Sequence, residues 1–319
     1  MSFIKDFKHT IFDINEKTFE DSSLNVFEYQ YYNCSTYNEY CNYLKKNPQN
    51  VKAIRDIPFL PIEFFKNHAI KSGEWSESII FKSSGTTDAG RSIHYVQDVS
   101  FYHQLSVHAF QEQFGSLKDL MIVALLPSYQ QQGNSSLIKM VDHFIENAHP
   151  ESGYYLEGDV ASELASSQKK LIIGVSYALL DAAEKGKMHL DQTIIMETGG
   201  MKGRRKELTR QDLHERLKKG FNVSEIWSEY GMTELFSQAY GVEGKFKFPK
   251  WAKCLIRDIN DPFSYLDNHE TGGINIIDLG NIDTCSFIET KDLGKSYGNY
   301  FEVLGRFDNS DIRGCNLMV

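Results

Sequence analysis

Leu120-Met121-Ile122-Val123-Ala124-Leu125-Leu126 is apolar at every position, which predicts a strand buried on both faces of a sheet. Two further runs, Leu171-Ile172-Ile173-Gly174-Val175 and Thr193-Ile194-Ile195-Met196, carry the same signal. Between and around them the period changes to that of a helix. Val99, Tyr102, Leu105 and Ala109 form one apolar face, Leu137, Met140, Val141, Phe144 and Ile145 another, and Leu179 and Leu180 belong to a third. A further unit is expected as a helix over 207–217 and a strand over 223–227. Strands alternating with helices predict parallel sheets covered by helices, an α/β fold whose binding loops lie at the carboxyl ends of the strands.

The flanks read differently. Residues 1–77 are rich in Tyr, Phe, Asn and Lys, with Pro58 and Pro61 interrupting the pattern, and are expected to form a helical segment with a loop. The α/β core is expected over 78–240, opening with the strand Ile79-Ile80-Phe81. Over 241–319 the helical period fades, and Ile274-Asn275-Ile276-Ile277 and Phe301-Glu302-Val303-Leu304 sit between Gly and Asp/Asn turns. That pattern predicts a smaller β-rich subdomain.

Composition excludes several classes. The 319 residues are 41% hydrophobic and 24% charged, which is ordinary for a globular chain and unlike a disordered or fibrous one. The net charge of −9, with no long basic run, argues against nucleic acid as a partner. Charged residues interrupt the N-terminus, and no stretch approaches the ~18 apolar residues of a membrane span. The expectation is a cytoplasmic protein without a transmembrane segment. Cys34, Cys41, Cys254, Cys285 and Cys315 form no CxxC pair and no zinc-spaced cluster, so neither structural metal nor a disulfide framework is expected. The histidines show no H-E-x-x-H spacing, and G-x-S-x-G is absent.

Three segments carry residue types suited to chemistry. Ser83-Ser84-Gly85-Thr86-Thr87-Asp88-Ala89-Gly90-Arg91 follows a strand. Its small residues permit a tight turn whose N–H groups and hydroxyls can converge on phosphate oxygens, although a plain polar turn has the same composition. In Glu229-Tyr230-Gly231-Met232-Thr233-Glu234, Tyr230 can stack on a purine, Thr233 can bond a phosphate and Glu234 can hold Mg²⁺. The alternative is a strand end with a solvated carboxylate. Thr290-Lys291-Asp292-Leu293-Gly294 and Gly305-Arg306-Phe307-Asp308-Asn309 come last. Asp292 can accept both hydroxyl protons of a ribose, and Arg306 can neutralise phosphate or act at a hinge, while Asp and Asn are also ordinary turn residues.

In this order the segments resemble the adenylate-forming superfamily of acyl- and aryl-acid ligases. The matching positions are 84–87 for its phosphate loop, 230–234 for its adenine motif, 290–292 for its ribose motif and 305–309 for its hinge. Gly199 and Gly200, after Thr198, resemble the strand end that lies against the adenine. Residues 127–133 occupy the place of an acyl-pocket loop. Arg91 stands where the superfamily usually has a lysine. The sequence stops at Val319, so the resemblance predicts no mobile C-terminal domain and no catalytic lysine from one.

With Arg313-Gly314-Cys315 near its end, the chain most resembles the LuxE-type acyl-protein synthetases. That resemblance implies ATP and Mg²⁺, a fatty or other carboxylic acid, an acyl-adenylate, transfer to Cys315 as a thioester, and a partner acyl reductase. Ser83, Ser84, Gly85, Thr86, Thr87, Gly199, Gly200, Tyr230, Gly231 and Asp292 are then the expected nucleotide-binding residues. Thr233, Arg306 and Cys315 are the catalytic ones and Glu234 the metal ligand. Three alternatives stay open: a coenzyme-A ligase, an enzyme transferring the acyl group to a carrier protein or amine, and a noncatalytic adenylate-binding protein.

Overall fold

The computed structural model describes residues 2–83, 90–126, 134–155, 169–185, 192–199 and 208–306. Helices α1 (Ser2–Thr10), α2 (Phe19–Asn33) and α3 (Ser35–Tyr43) come first. After them come β1 (Leu60–Pro61), the one-turn helix α4 (Phe64–Asn67) and an antiparallel pair, β2 (Ile79–Lys82) and β3 (Ile93–Val96). Strands and helices then alternate as expected: α5 (Val99–Phe114), β4 (Met121–Leu125), α6 (Ser136–Glu146), β5 (Gly153–Tyr154), β6 (Lys170–Gly174), α7 (Ser176–Glu184), β7 (Thr193–Glu197), α8 (Arg210–Phe221) and β8 (Trp227–Tyr230). The remainder is β-rich: β9 (Ala239–Val242), β10 (Lys245–Lys247), β11 (Ala252–Arg257), β12 (Thr271–Asp278), β13 (Phe287–Ser296) and β14 (Phe301–Arg306).

Among the described residues, twelve strands join in one mixed sheet, ordered β11-β12-β13-β14-β10-β9-β8-β7-β6-β4-β5, with β1 added beside β13. From β8 to β5 every pairing is parallel. At β8 the direction changes, because β9 returns antiparallel with Tyr230 opposite Ala239. The two kinds of strand are therefore continuous at β8. Every residue of β4 and β6 is buried, which is why these strands read as unbroken apolar runs.

Helix starts follow local chemistry. Asp98 caps α5 by accepting the N–H groups of Ser100 and Phe101, and Ser135 and Thr209 cap α6 and α8. The strand expected over 223–227 begins only at Trp227. Asn222 ends α8 in the left-handed conformation, and pairing with β7 starts where Met196 meets Trp227.

The N-terminal helices pack against the turn between β12 and β13. Gln30 Nε2 donates to the carbonyl of Asn281 at 2.9 Å, and Gln30 Oε1 accepts the Ser286 N–H at 2.9 Å. Lys8 pairs with Asp283 at 2.6 Å, and Ser72 Oγ donates to the Thr284 carbonyl at 2.6 Å. No helix among the described residues is long and apolar enough to cross a membrane.

Candidate functional site

The carboxyl edge of the parallel strands opens into a cleft of about 450 Å³. Ser83 reaches it from the end of β2, Thr198 from the end of β7, and Gly231, Thr233 and Glu234 from the loop after β8. Arg306 enters from β14, and Lys66 of α4 and Lys82 of β2 add two more cations. Segments drawn from Lys66 to Arg306 thus border one space.

Tyr230 closes β8. Its ring lies among Phe246, Phe248 and Phe301, with centroids 5.5 to 6.2 Å away. Its hydroxyl donates to Asp292 Oδ2 at 2.7 Å. Burial and the Asp292 carboxylate together hold the Tyr230 hydroxyl well above its ordinary pKa. The register of β13 against β14 sets Asp292 opposite Arg306, and the guanidinium Nε lies 3.9 Å from Oδ1. Burial raises the pKa of Asp292, while the Tyr230 hydroxyl and Arg306 work against that rise. Thr290 Oγ1 accepts the Asp292 N–H at 3.1 Å and donates to the Ile274 carbonyl at 2.8 Å, which ties this backbone to β12.

The loop after β8 is held from beneath by polar groups that bond mainly its backbone. Asn281 Nδ2 donates to the Glu234 carbonyl at 2.8 Å. Asp278 accepts the N–H groups of Phe236 and Ser237, both at 2.9 Å, and the Ser237 hydroxyl at 2.6 Å. His94 Nδ1 lies 2.8 Å from the Thr233 carbonyl, and its Nε2 lies 3.1 Å from Thr284 Oγ1. A carbonyl only accepts, so the proton sits on Nδ1 and Nε2 accepts from the threonine.

Full burial pushes the His94 pKa down to about 4, from an ordinary 6.5. As pH falls, the unfolded chain takes up this proton first, so the His94 contribution to stability is complete above about pH 6.5. It is lost on the way down to about pH 4 and amounts to roughly 3 kcal/mol. Denaturant titrations across this window should show wild-type protein losing stability more steeply than His94→Gln. Parallel slopes would mean that the ring is not held neutral in the fold.

Glu234 is 5% exposed. Burial raises its pKa, and a hydrogen bond from Ser92, with Arg306 and Lys66 nearby, offsets part of the rise. A buried carboxylate beside cations and hydroxyls suits one kind of metal site in particular. Among the described residues no group of three or more acidic, His or Cys side chains could hold a metal alone. One carboxylate completed by phosphate oxygens is how Mg²⁺ binds with a nucleotide, so the residues present fit that ion.

Behind β7, Glu197 is buried with Ser228 and His214. Desolvation acts to raise its pKa, yet His214, the Gly199 N–H and Ser228 hold the carboxyl below its ordinary value. The Gly199 N–H donates at 2.8 Å and Ser228 Oγ at 2.9 Å. Gly199 has φ +76°, the left-handed region where a side chain is strained, so the strand end turns there under the control of Glu197.

Of the residues singled out from sequence, Ser83, Gly231, Thr233, Glu234 and Arg306 border the cleft. Tyr230 and Asp292 bond each other beside it, and Gly199 lies next to Thr198. Ser84, Gly85, Thr86, Thr87, Gly200 and Cys315 lie outside the described residues. Sequence reasoning missed His94, Asp278, Asn281, Glu197, Glu229 and Lys66. None belongs to a recognisable spacing, although the Glu229 side chain was predictably opposite Tyr230 from strand alternation.

A family model described as acyl-protein synthetase, LuxE, matches residues 7–171, slightly more than half of the chain. No curated protein matches in sequence. Among solved structures, an open conformation of 2-hydroxyisobutyryl-CoA ligase in complex with 2-HIB-AMP and CoA is similar, with a TM-score of 0.63 and 11% identity. The similarity covers 91% of this chain and 69% of that one. ATP-bound MatB from Rhodopseudomonas palustris is similar with a TM-score of 0.52 and 17% identity, over 73% of this chain and 49% of that one. At these identities the likeness is one of fold.

Proposed function

This chain belongs to the acyl-protein synthetase (LuxE) family and has the fold of adenylate-forming ligases, and from that premise we propose that it activates a carboxylic acid with ATP. In the first step a carboxylate oxygen bonds to the α-phosphorus, the bond to the β-phosphate oxygen breaks, and pyrophosphate leaves. In the second, a cysteine thiolate bonds to the acyl carbon and AMP leaves, forming a thioester for delivery to an acyl reductase. The thiol proton goes to solvent. The observation that carries this reading is the convergence of Thr233, Glu234, Arg306 and two lysines on one cleft at the carboxyl edge of the parallel strands.

In the first step the chain's part is positioning and charge rather than covalent chemistry. Arg306, Lys66 and Lys82 supply positive potential to the phosphates, and Thr233 donates to them. Asp292, oriented by Tyr230, takes the ribose hydroxyls. Glu234 would hold Mg²⁺, which when bound with the nucleotide neutralises charge on the phosphate oxygens. The buried walls exclude water from a reactive mixed anhydride.

ATP–pyrophosphate exchange with a panel of carboxylic acids tests the reading. Acid-dependent exchange supports it, and exchange with no acid in the panel overturns it. In the same assay Tyr230→Phe removes the hydroxyl that orients Asp292. We expect the KM for ATP to rise about tenfold, as for one hydrogen bond to a charged group, with the KM for the acid unmoved. A shift in the acid KM alone would take Asp292 off the ribose.

A further inference from the structure

Glu229 takes no part in the steps above. Side chains alternate along β8, so Tyr230 faces Asp292 while Glu229 faces the other side of the strand and borders the cleft with Tyr102 of α5 and Leu137 and Met140 of α6. Burial, with the carboxylate of Glu197 nearby, pushes its pKa up to about 8. No hydrogen bond reaches it from the described residues. Gln238 borders the same cleft and is 4% exposed. Its Nε2 donates to the Phe236 carbonyl at 3.3 Å, which fixes the orientation of the amide. Its Oε1 is left without a partner among the described residues.

The two groups meet above Gly231. A Cβ placed on that glycine would strike Glu229 Oε1 and lie 3.6 Å from Gln238 Cγ, so the missing side chain leaves room for the Glu229 carboxyl beside Gln238. Thr198 Oγ1, at the end of β7, is another buried oxygen on this cleft with no partner among the described residues.

A plain aliphatic acid lying against this wall would exclude water from these oxygens and return no hydrogen bond. We infer that the acid activated here carries a hydrogen-bond-donating substituent, a hydroxyl or an ammonium group, that engages Glu229 and Gln238 while its apolar body packs on Leu137 and Met140. The donor character follows from the wall. The Gln238 amide oxygen only accepts; Glu229, mostly protonated near neutral pH, still offers its carbonyl oxygen to a hydroxyl, and a bound ammonium would favour its ionised form. The inference rests on the adenylation reading and names the substrate class of the same site.

The test is pyrophosphate exchange with acids matched in carbon number, unsubstituted or bearing a hydroxyl or amino group near the carboxyl end. Wild-type protein should favour a substituted acid by at least about tenfold in kcat/KM, because a site built to bond a donor rejects the analogue lacking it. Glu229→Leu should remove that preference without changing the KM for ATP. Glu229→Gln separates the two sources: it should keep a hydroxy acid within a few-fold but lose an amino acid. If Glu229→Leu fails to fold, Gln238→Leu carries the same expectation. Equal or better use of the unsubstituted acid by wild-type protein would overturn the inference and leave adenylation standing. A rise in the KM for ATP with selectivity unchanged would overturn it by assigning Glu229 to the nucleotide. Exchange with none of the acids would overturn the adenylation reading and this inference with it.

Discussion

Glu234→Gln is expected to lower ATP–pyrophosphate exchange at least about a hundredfold while the protein stays folded, since a metal's charge stabilisation at phosphoryl oxygen is worth several kcal/mol. An amide lacks the negative charge that a hard cation takes from its ligand. Folding should survive because the loop is held by backbone contacts, from Asn281 to the Glu234 carbonyl and from Asp278 to the N–H groups of Phe236 and Ser237. The Glu234 side chain holds none of these. Burial raises the pKa of this carboxyl, so a neutral amide of the same shape should leave the melting temperature unchanged or higher. Exchange at the wild-type rate, over a range of Mg²⁺ concentrations, would remove Glu234 from the metal.

Cys315→Ser is expected to abolish thioester formation altogether while leaving exchange intact. The four described cysteines are poor candidates for the acceptor. Cys34, Cys41 and Cys285 are buried, and burial pushes all three thiols up, that of Cys41 to about 12. Cys254 is partly covered, and burial raises its thiol as well. A thiolate is the nucleophile, so each of these sites suppresses the reactive form. Cys315 is the cysteine that the acyl-protein synthetase resemblance implies. Incubated with labelled acid and ATP, wild-type protein should become labelled through a hydroxylamine-sensitive bond, and Cys315→Ser should take up no such label. Label that survives the substitution would move the acceptor to Cys34, Cys41, Cys254 or Cys285. An unlabelled wild-type protein that still exchanges pyrophosphate would point to an acceptor on another molecule.

Legibility of the fold followed burial. β4, β6 and β7 were readable because parallel strands covered on both faces need apolar residues throughout, and α5 and α6 because one face of each packs inward. The start of β8 was misjudged because 223–226 has a strand's composition but no neighbour to pair with before Trp227. The site was legible where several chemically distinctive residues share a short segment, as in 229–234. Isolated residues such as His94, Asp278 and Asn281 were not, since a single polar side chain in an apolar stretch shows nothing of its partner.

Local order and the alternation of strand and helix were determined by the sequence itself, since hydrophobic period, caps and turns act over a few residues. So was the choice of residue types available for binding phosphate, ribose and metal. Only the tertiary structure decided that Tyr230 bonds Asp292 across 62 positions, that Arg306 stands opposite that carboxylate, and that Glu229 and Gln238 border the same cleft as Glu234. The physical reason is that these relations depend on strand order, register and desolvation. Each arises only when remote segments pack together and water is excluded from between them.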